Sequence, residues 1–305
     1  MAQKSAPADQ FSIAVNLGGL DGQLLYIPAT AHKKHDILVI YGHFGTLVNY
    51  FNLAKDLAGY GNVTVAELPG FNNHQSLYKI HDKPTIDELA EYLATIVNYR
   101  FRKKKVTIVG MGFGAVIVTR MLQRHSSLAR KVNIVISIDG MAHHDDLNTL
   151  GRHQRRVYAI LLRILSWRLV ASVLKNTSLP DSLLEKIYNL KVKSPKKGDT
   201  KQRLIDWHVH DFKTYMRTMS ELLRLDNCQN PVKAKFAQVW SGTLVCLDRE
   251  VTDQHFQVIF DDFKLITSDQ KFSRRTDSLK LMYQIKLPKP LQALLLKTAK
   301  SSVIV

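Results

Sequence analysis

The sequence predicts an α/β protein built on a mostly parallel central sheet with helices on both faces, interrupted once by a helical insertion. Three observations predict it. Short β-branched runs alternate with longer runs of helical periodicity, the strand-like runs are apolar throughout, and the alternation stops near Gly140 and resumes after Pro231. A strand that is apolar on both sides is buried on both faces, which calls for parallel pairing and helical crossovers. The chain's 305 residues exceed a typical domain, but α/β folds of this size close as one unit with an insertion.

The elements follow in order. Phe11 to Asn16 and Gln23 to Ile27 flank Gly18-Gly19-Leu20-Asp21-Gly22, which reads as a hairpin around a glycine-rich turn. Ile37 to Tyr41 is a buried strand, Leu47 to Tyr60 a helix, Asn62 to Leu68 a strand, and Thr85 to Tyr99 a helix opened by Pro84 and the acids Asp87 and Glu88. Lys105 to Val109 is a further strand, Ala115 to His125 a helix, and Val132 to Ile138 a strand. From His143 to about Asn230 the pattern is helical only, with Val157, Ile160, Leu161, Ile164 and Leu165 at helical spacing and a polar linker at 191–199. Phe236 to Leu247 is again strand-like, Asp253 to Phe260 helical, Phe263 to Thr267 a strand and Leu291 to Lys300 a terminal helix. The predicted division is a core of residues 1–142 and 231–305 with a helical cap at 143–230.

Composition excludes several classes. With 45% hydrophobic and 23% charged residues, 15 Gly and 9 Pro, the chain is neither disordered nor collagenous nor coiled coil. Cys228 and Cys246 build no disulfide framework and sit in no metal-ligand cluster, so no metal or cofactor is expected, and a reducing cytoplasm fits best. The N-terminal residues carry no apolar signal region. The longest apolar stretch, Val157 to Leu174, contains Arg163 and Arg168, each costing about 2.5–3.5 kcal/mol at a bilayer centre, so no membrane span is expected.

The net charge is +17, from 43 basic and 26 acidic residues. No acid occurs from Tyr92 to Ser137, a stretch that holds Arg100, Arg102, Lys103, Lys104, Lys105, Arg120, Arg124, Arg130 and Lys131. Such charge suits a nucleic acid or an anionic membrane surface, and equally a solvated face that keeps the protein soluble. No RNP, KH or zinc-finger pattern accompanies it.

The informative motif is Gly110-Met111-Gly112-Phe113-Gly114-Ala115, which follows a strand and opens a helix. A dinucleotide fingerprint belongs to the first βα turn, with an acid closing the next strand; here the run comes late and 132–138 carries no acid. The spacing instead matches the nucleophile elbow G-x-S-x-G, a sharp turn that presents one side chain at the carboxyl edge of a sheet. Gly112 stands where serine belongs.

Further segments match in order. Ile37 to Gly45 is a strand followed by an H-G-type loop, with Tyr41 in place of a histidine; Glu67-Leu68-Pro69-Gly70-Phe71 is similar to D-x-P-G-x; and Asp248-Arg249-Glu250-Val251 with His255 is similar to D-x-x-V-x-x-x-H. Together these resemble the α/β-hydrolase superfamily over most of the chain. The resemblance implies a catalytic acid at Asp248, an oxyanion hole from the backbone N–H groups of His43 and Phe113, and a cap at 143–230 over a pocket for a small apolar or ester-like ligand. Tyr41, Met111, Trp207 and His208 are its pocket candidates. The family's catalytic histidine follows the last strand, where this chain has 268–273 without histidine and Lys271 as the nearest match. A glycine at the elbow also resembles the N-myc downstream-regulated family, whose members keep the fold and are regarded as non-enzymatic.

Losing serine and histidine typically costs about a millionfold in rate. Lys271 as a base would have to titrate well below its ordinary ~10.4, and Asp248 beside it would favour the ammonium form. His43, His143, His144, His208 and His210 are candidate bases by location, each balanced by an ordinary surface or loop role. Three functions stay open: a silent hydrolase fold that binds a ligand or protein partner, a hydrolase with rearranged groups, and a basic adaptor at a membrane or nucleic acid. For the third, Arg152, Arg155, Arg156, Arg163 and Arg168 share a helical run with Leu161, Leu162, Ile164, Leu165, Trp167 and Leu169, a pattern suited either to anionic lipid or to a cap packed over its pocket.

Overall fold

A computed structural model describes residues 8–30, 35–43, 45–72, 74–102, 104–168, 170–171, 210–240, 246–266 and 287–301. The polar linker, Trp207, His208 and Lys271 lie outside the described residues.

The chain opens with the hairpin β1 (Ser12–Leu17) and β2 (Leu20–Ile27), which pairs Leu17 with Leu20. The turn is therefore the two residues Gly18 and Gly19, shorter than the five-residue turn expected. Both adopt positive φ, +60° and +80°, which matches the right-handed twist of the flanking strands and which glycine adopts without strain. Next come β3 (Asp36–Ile40), α1 (Leu47–Leu57), β4 (Asn62–Ala66), α2 (Ile86–Arg100), β5 (Val106–Met111), α3 (Phe113–Arg124), the short α4 (Ser126–Ala129) and β6 (Val132–Ile138). The inserted region contributes α5 (Arg152–Leu165) and α6 (Phe212–Leu222). The chain then returns through β7 (Val232–Val239), α7 (Arg249–Ile259), β8 (Phe260–Ile266) and α8 (Lys289–Ser301). The strand expected from Phe236 to Leu247 begins earlier and ends at Val239.

The eight strands form one sheet in the order β1-β2-β4-β3-β5-β6-β7-β8, parallel from β4 to β8 and antiparallel at β1 and β2. Alternate residues of the central strands feed two separate cores. Leu38, Ile40, Val106, Ile108 and Val135 pack with α2 and α3, whereas Ile37, Val39, Val109, Ile134 and Ile136 pack with α1 and α8. Helices thus cover both faces, which is why β3 is buried at every position.

Helix starts carry their caps: Thr46 for α1, Thr85 for α2, Asp211 for α6 and Asp248 for α7, each accepting from an amide of the first turn. Helices α3, α4 and α5 start without a side-chain cap, on Gly112, His125 and Gly151. The basic stretch between 92 and 137 is partly neutralised, since Arg120 and Arg124 pair with Asp87, and Arg124 and His125 with Glu91, all across the α2–α3 interface. Among the described residues no helix is long and apolar enough to cross a membrane.

Candidate functional site

In open parallel sheets, ligands bind beyond the carboxyl ends of the strands. Here that edge presents Tyr41 to His43 after β3, Glu67 after β4, Gly112 after β5 and Asp139 after β6.

The turn after β5 is defined by three glycines with two different reasons. A Cβ on Gly110 would stand 2.6 Å from Ala115 Cα, and one on Gly114 2.2 Å from the Ile40 carbonyl oxygen. The flanking glycines are thus required by close backbone approach. Gly112 is required by conformation instead: φ is 52° and ψ −114°, a region L-residues rarely occupy, yet a Cβ there would meet nothing within 4 Å. A side chain at this position would project into open space. The Gly112 amide donates to the Ile138 carbonyl at 2.9 Å, locking the turn to β6.

The loop after β3 lies against this turn, because a Cβ on Gly42 would come 3.1 Å from the Met111 oxygen and 3.4 Å from the Phe113 nitrogen. Phe113 is the first residue of α3, so its N–H has no carbonyl to meet inside the helix. The His43 ring stacks on Phe113, centroids 3.8 Å apart and 17° from parallel, with Phe71 at 5.5 Å and Tyr215 at 5.0 Å. His43 Nε2 stands 2.9 Å from Thr218 Oγ1 of α6, and that hydroxyl is within reach of the Thr214 and Tyr215 carbonyls. Since carbonyls only accept, the hydroxyl donates to them, and His43 Nε2–H donates to the hydroxyl. The imidazole therefore ties α6 to the turn.

His210 is the second buried imidazole nearby, its ring 5.8 Å from Phe71. Its Nδ1 accepts the Asn72 amide at 2.7 Å, so the proton sits on Nε2, which has no partner among the described residues. Burial brings its pKa down to about 4. A ring with its lone pair already engaged is unfit as a general base.

Tyr41 and Met111 lie on the opposite face, in or against the core packed by α1; Tyr41 stacks on Tyr50 at 4.9 Å. Glu67 is buried beside Tyr41 and accepts from Asn72 Nδ2. Burial pushes its pKa up to about 7, with the Asn72 and Tyr41 side chains and the Gln23 backbone pulling the other way. Asp248 caps α7, where its carboxylate accepts the Val251 amide at 3.2 Å.

Sequence reasoning missed Asp139, a buried acid with φ +49° directly after β6, where the Met111–Ile138 register sets it level with Gly112. Its place after an apolar strand was a usable signal. It also missed Thr218, Tyr215 and Phe71, which tertiary packing alone brings to His43.

No family model matches the chain, and no curated protein matches it. Solved structures do. The chain is similar to the N-formylmaleamic acid deformylase Nfo of Pseudomonas putida (TM-score 0.58, 14% identity, covering 95% of this chain and 99% of that one). It is also similar to a thermophilic esterase of Thermogutta terrifontis (0.60, 13%, 85% and 91%) and to an esterase of Exiguobacterium antarcticum (0.63, 10%, 84% and 90%). The protein has the α/β-hydrolase fold.

Proposed function

We propose that this protein is a catalytically silent α/β-hydrolase-fold protein that binds a small ester- or acyl-like ligand at the turn after β5, beneath a cap formed by the inserted region. The observation that carries this reading is Gly112: the turn keeps the strained geometry of a nucleophile elbow and the open space before it, while supplying no attacking atom. The amides of His43 and Phe113 remain as a cradle for a ligand oxygen. His210 supports silence too, since its lone pair is held by the Asn72 amide.

The test is a panel of p-nitrophenyl esters with a fluorophosphonate probe. Wild type is expected to show no turnover above buffer and no labelling. Gly112→Ser should remain unlabelled, because a hydroxyl without a base is a poor nucleophile, whereas Gly112→Ser with Lys271→His should gain labelling. Wild-type turnover that a single change at the edge abolishes, Asp139→Asn included, would establish the rearranged-hydrolase reading instead.

One observation favours a second reading, association with an anionic membrane. Helix α5 packs on α6, where Ser220 Oγ donates to the Ala159 carbonyl, and its outer side exposes Val157 (63%), Ile160, Leu161 and Ile164 among Arg152, Arg156 and Arg163, with Trp167 (60%) exposed just beyond its end. Apolar and basic residues on one helix suit a lipid interface. Sedimentation with phosphatidylserine vesicles decides: binding should fall with salt and with Trp167→Ser, and no binding at low salt removes this reading.

A further inference from the structure

Beyond β6, outside the site just described, the chain runs through His143-His144-Asp145-Asp146. Asp146 is fully buried and accepts the amides of Ala142 at 2.6 Å and His143 at 3.0 Å. Its other oxygen lies 2.5 Å from Nδ1 of His255 on α7. A carboxylate that takes the Nδ1 proton leaves Nε2 of that ring with its lone pair. His144 is set the same way, with Nδ1 2.8 Å from the Leu225 carbonyl, which can only accept. The His143 ring lies between them, 3.9 Å from that of His144 and 4.7 Å from that of His255.

The distances around Asp145 are the informative ones. Its Oδ1 is 3.7 Å from His144 Nε2, and its Oδ2 is 3.5 Å from His143 Nδ1. Both are too long for hydrogen bonds. Two ligand atoms held at ~2.0–2.1 Å around one tetrahedral ion stand about 3.3–3.4 Å apart. Among the described residues, His143, His144 and Asp145 form the one group of at least three such side chains whose ligand atoms all lie within 4.8 Å of one another.

We propose that His143, His144 and Asp145 form a binding site for a late first-row divalent cation, of which Zn2+ is the representative. Two imidazoles and one carboxylate match the ligand preference of such ions, and Asp145 is exposed, so the ion reaches the site from solvent. The Leu225 carbonyl supplies the outer-shell bond that orients the His144 imidazole, and the His255 ring packs beside that of His143. Two contacts compete with the ion: Arg155 is paired with Asp145, and His143 Nδ1 accepts the Asp145 amide at 3.2 Å. Binding lengthens the second and shares the first.

The experiment uses the full chain, stripped with chelator and titrated with Co2+ and then Zn2+. One equivalent of Co2+ is expected, with visible d–d bands of a low-coordinate nitrogen–oxygen site that Zn2+ displaces. His143→Ala should abolish the bands. His144→Asn, which keeps a donor for the Leu225 carbonyl while removing the ligand nitrogen, should do the same. His255→Ala, which removes the ring beside His143, should weaken binding without abolishing it. His125→Ala, at the far end of α3 against Glu91, should change nothing, and circular dichroism checks that each variant is folded. Absence of the bands in wild type, or bands that survive both His143→Ala and His144→Asn, would overturn the site.

Discussion

Two neighbouring strands of one sheet end in opposite ways. β5 runs into a partly exposed turn of glycines, bordered by His43, which donates to Thr218 and stacks on Phe113, and by His210, whose lone pair accepts the Asn72 amide. β6 runs into a half-exposed segment where three imidazoles gather and two of them, His144 and His255, are anchored through Nδ1. Nearness to the turn does not make a histidine a base. His210 spends its lone pair on the Asn72 amide, whereas His144, anchored through Nδ1–H, keeps its lone pair for the proposed cation.

The largest expected effects break the turn itself. Gly114→Ala would press a methyl into the Ile40 carbonyl of a central strand, which cannot yield, and should cost more than about 3 kcal/mol in chemical denaturation. Gly112→Ala meets no atom and should cost only the strain of its positive φ, about 1–2 kcal/mol. Equal losses at the two positions would show that the open space before Gly112 does not exist in solution.

The buried titratable groups come next, and they act with opposite signs. Glu67 holds its proton to about pH 7 against an ordinary 4.5, so between these values the unfolded chain releases a proton that the folded chain keeps, and stability falls as pH rises. The full effect is on the order of 3 kcal/mol. His210 stays neutral down to about pH 4 against an ordinary 6.5, so over that interval stability falls as pH drops, by a similar amount. The two partly cancel in wild type. Glu67→Gln should therefore make acidification more destabilising than in wild type, and His210→Asn should make it less so, as read from urea midpoints across this range. Identical pH profiles for both variants would contradict the buried, neutral environment assigned to each.

Smallest is the effect at Asp248. As a helix cap, it should lose about 1 kcal/mol on replacement by Ala and only a few tenths on replacement by Asn, which caps as well. A large loss with Asn would mean that its charge is used beyond the cap.

Much of the fold was legible because apolar periodicity is a local property. Val132 to Ile138 reads as a buried strand and is one, and the glycines at 110, 112 and 114 announce a strand-to-helix turn before any coordinates. Less of the site was legible. Asp248 was visible as an acid in a matching stretch, yet its engagement with Val251 depends on where α7 begins. His255 was quoted only as part of that stretch, because its partner Asp146 lies 109 residues away along the chain. Glu67 carried no sign of its raised pKa, since burial in the folded chain, which outweighs the hydrogen bonds from Asn72 and Tyr41, is a tertiary property.

The sequence by itself determined the layered α/β architecture and the glycine at residue 112, because side-chain period and residue identity need no knowledge of distant neighbours. Only the tertiary structure decided which glycines answer to crowding and which to backbone angle, which imidazoles keep a lone pair, and which acids are drawn out of water. Those properties arise from atoms far apart in the chain brought within a few ångströms, where van der Waals overlap, hydrogen bonding and the loss of solvent all act at short range.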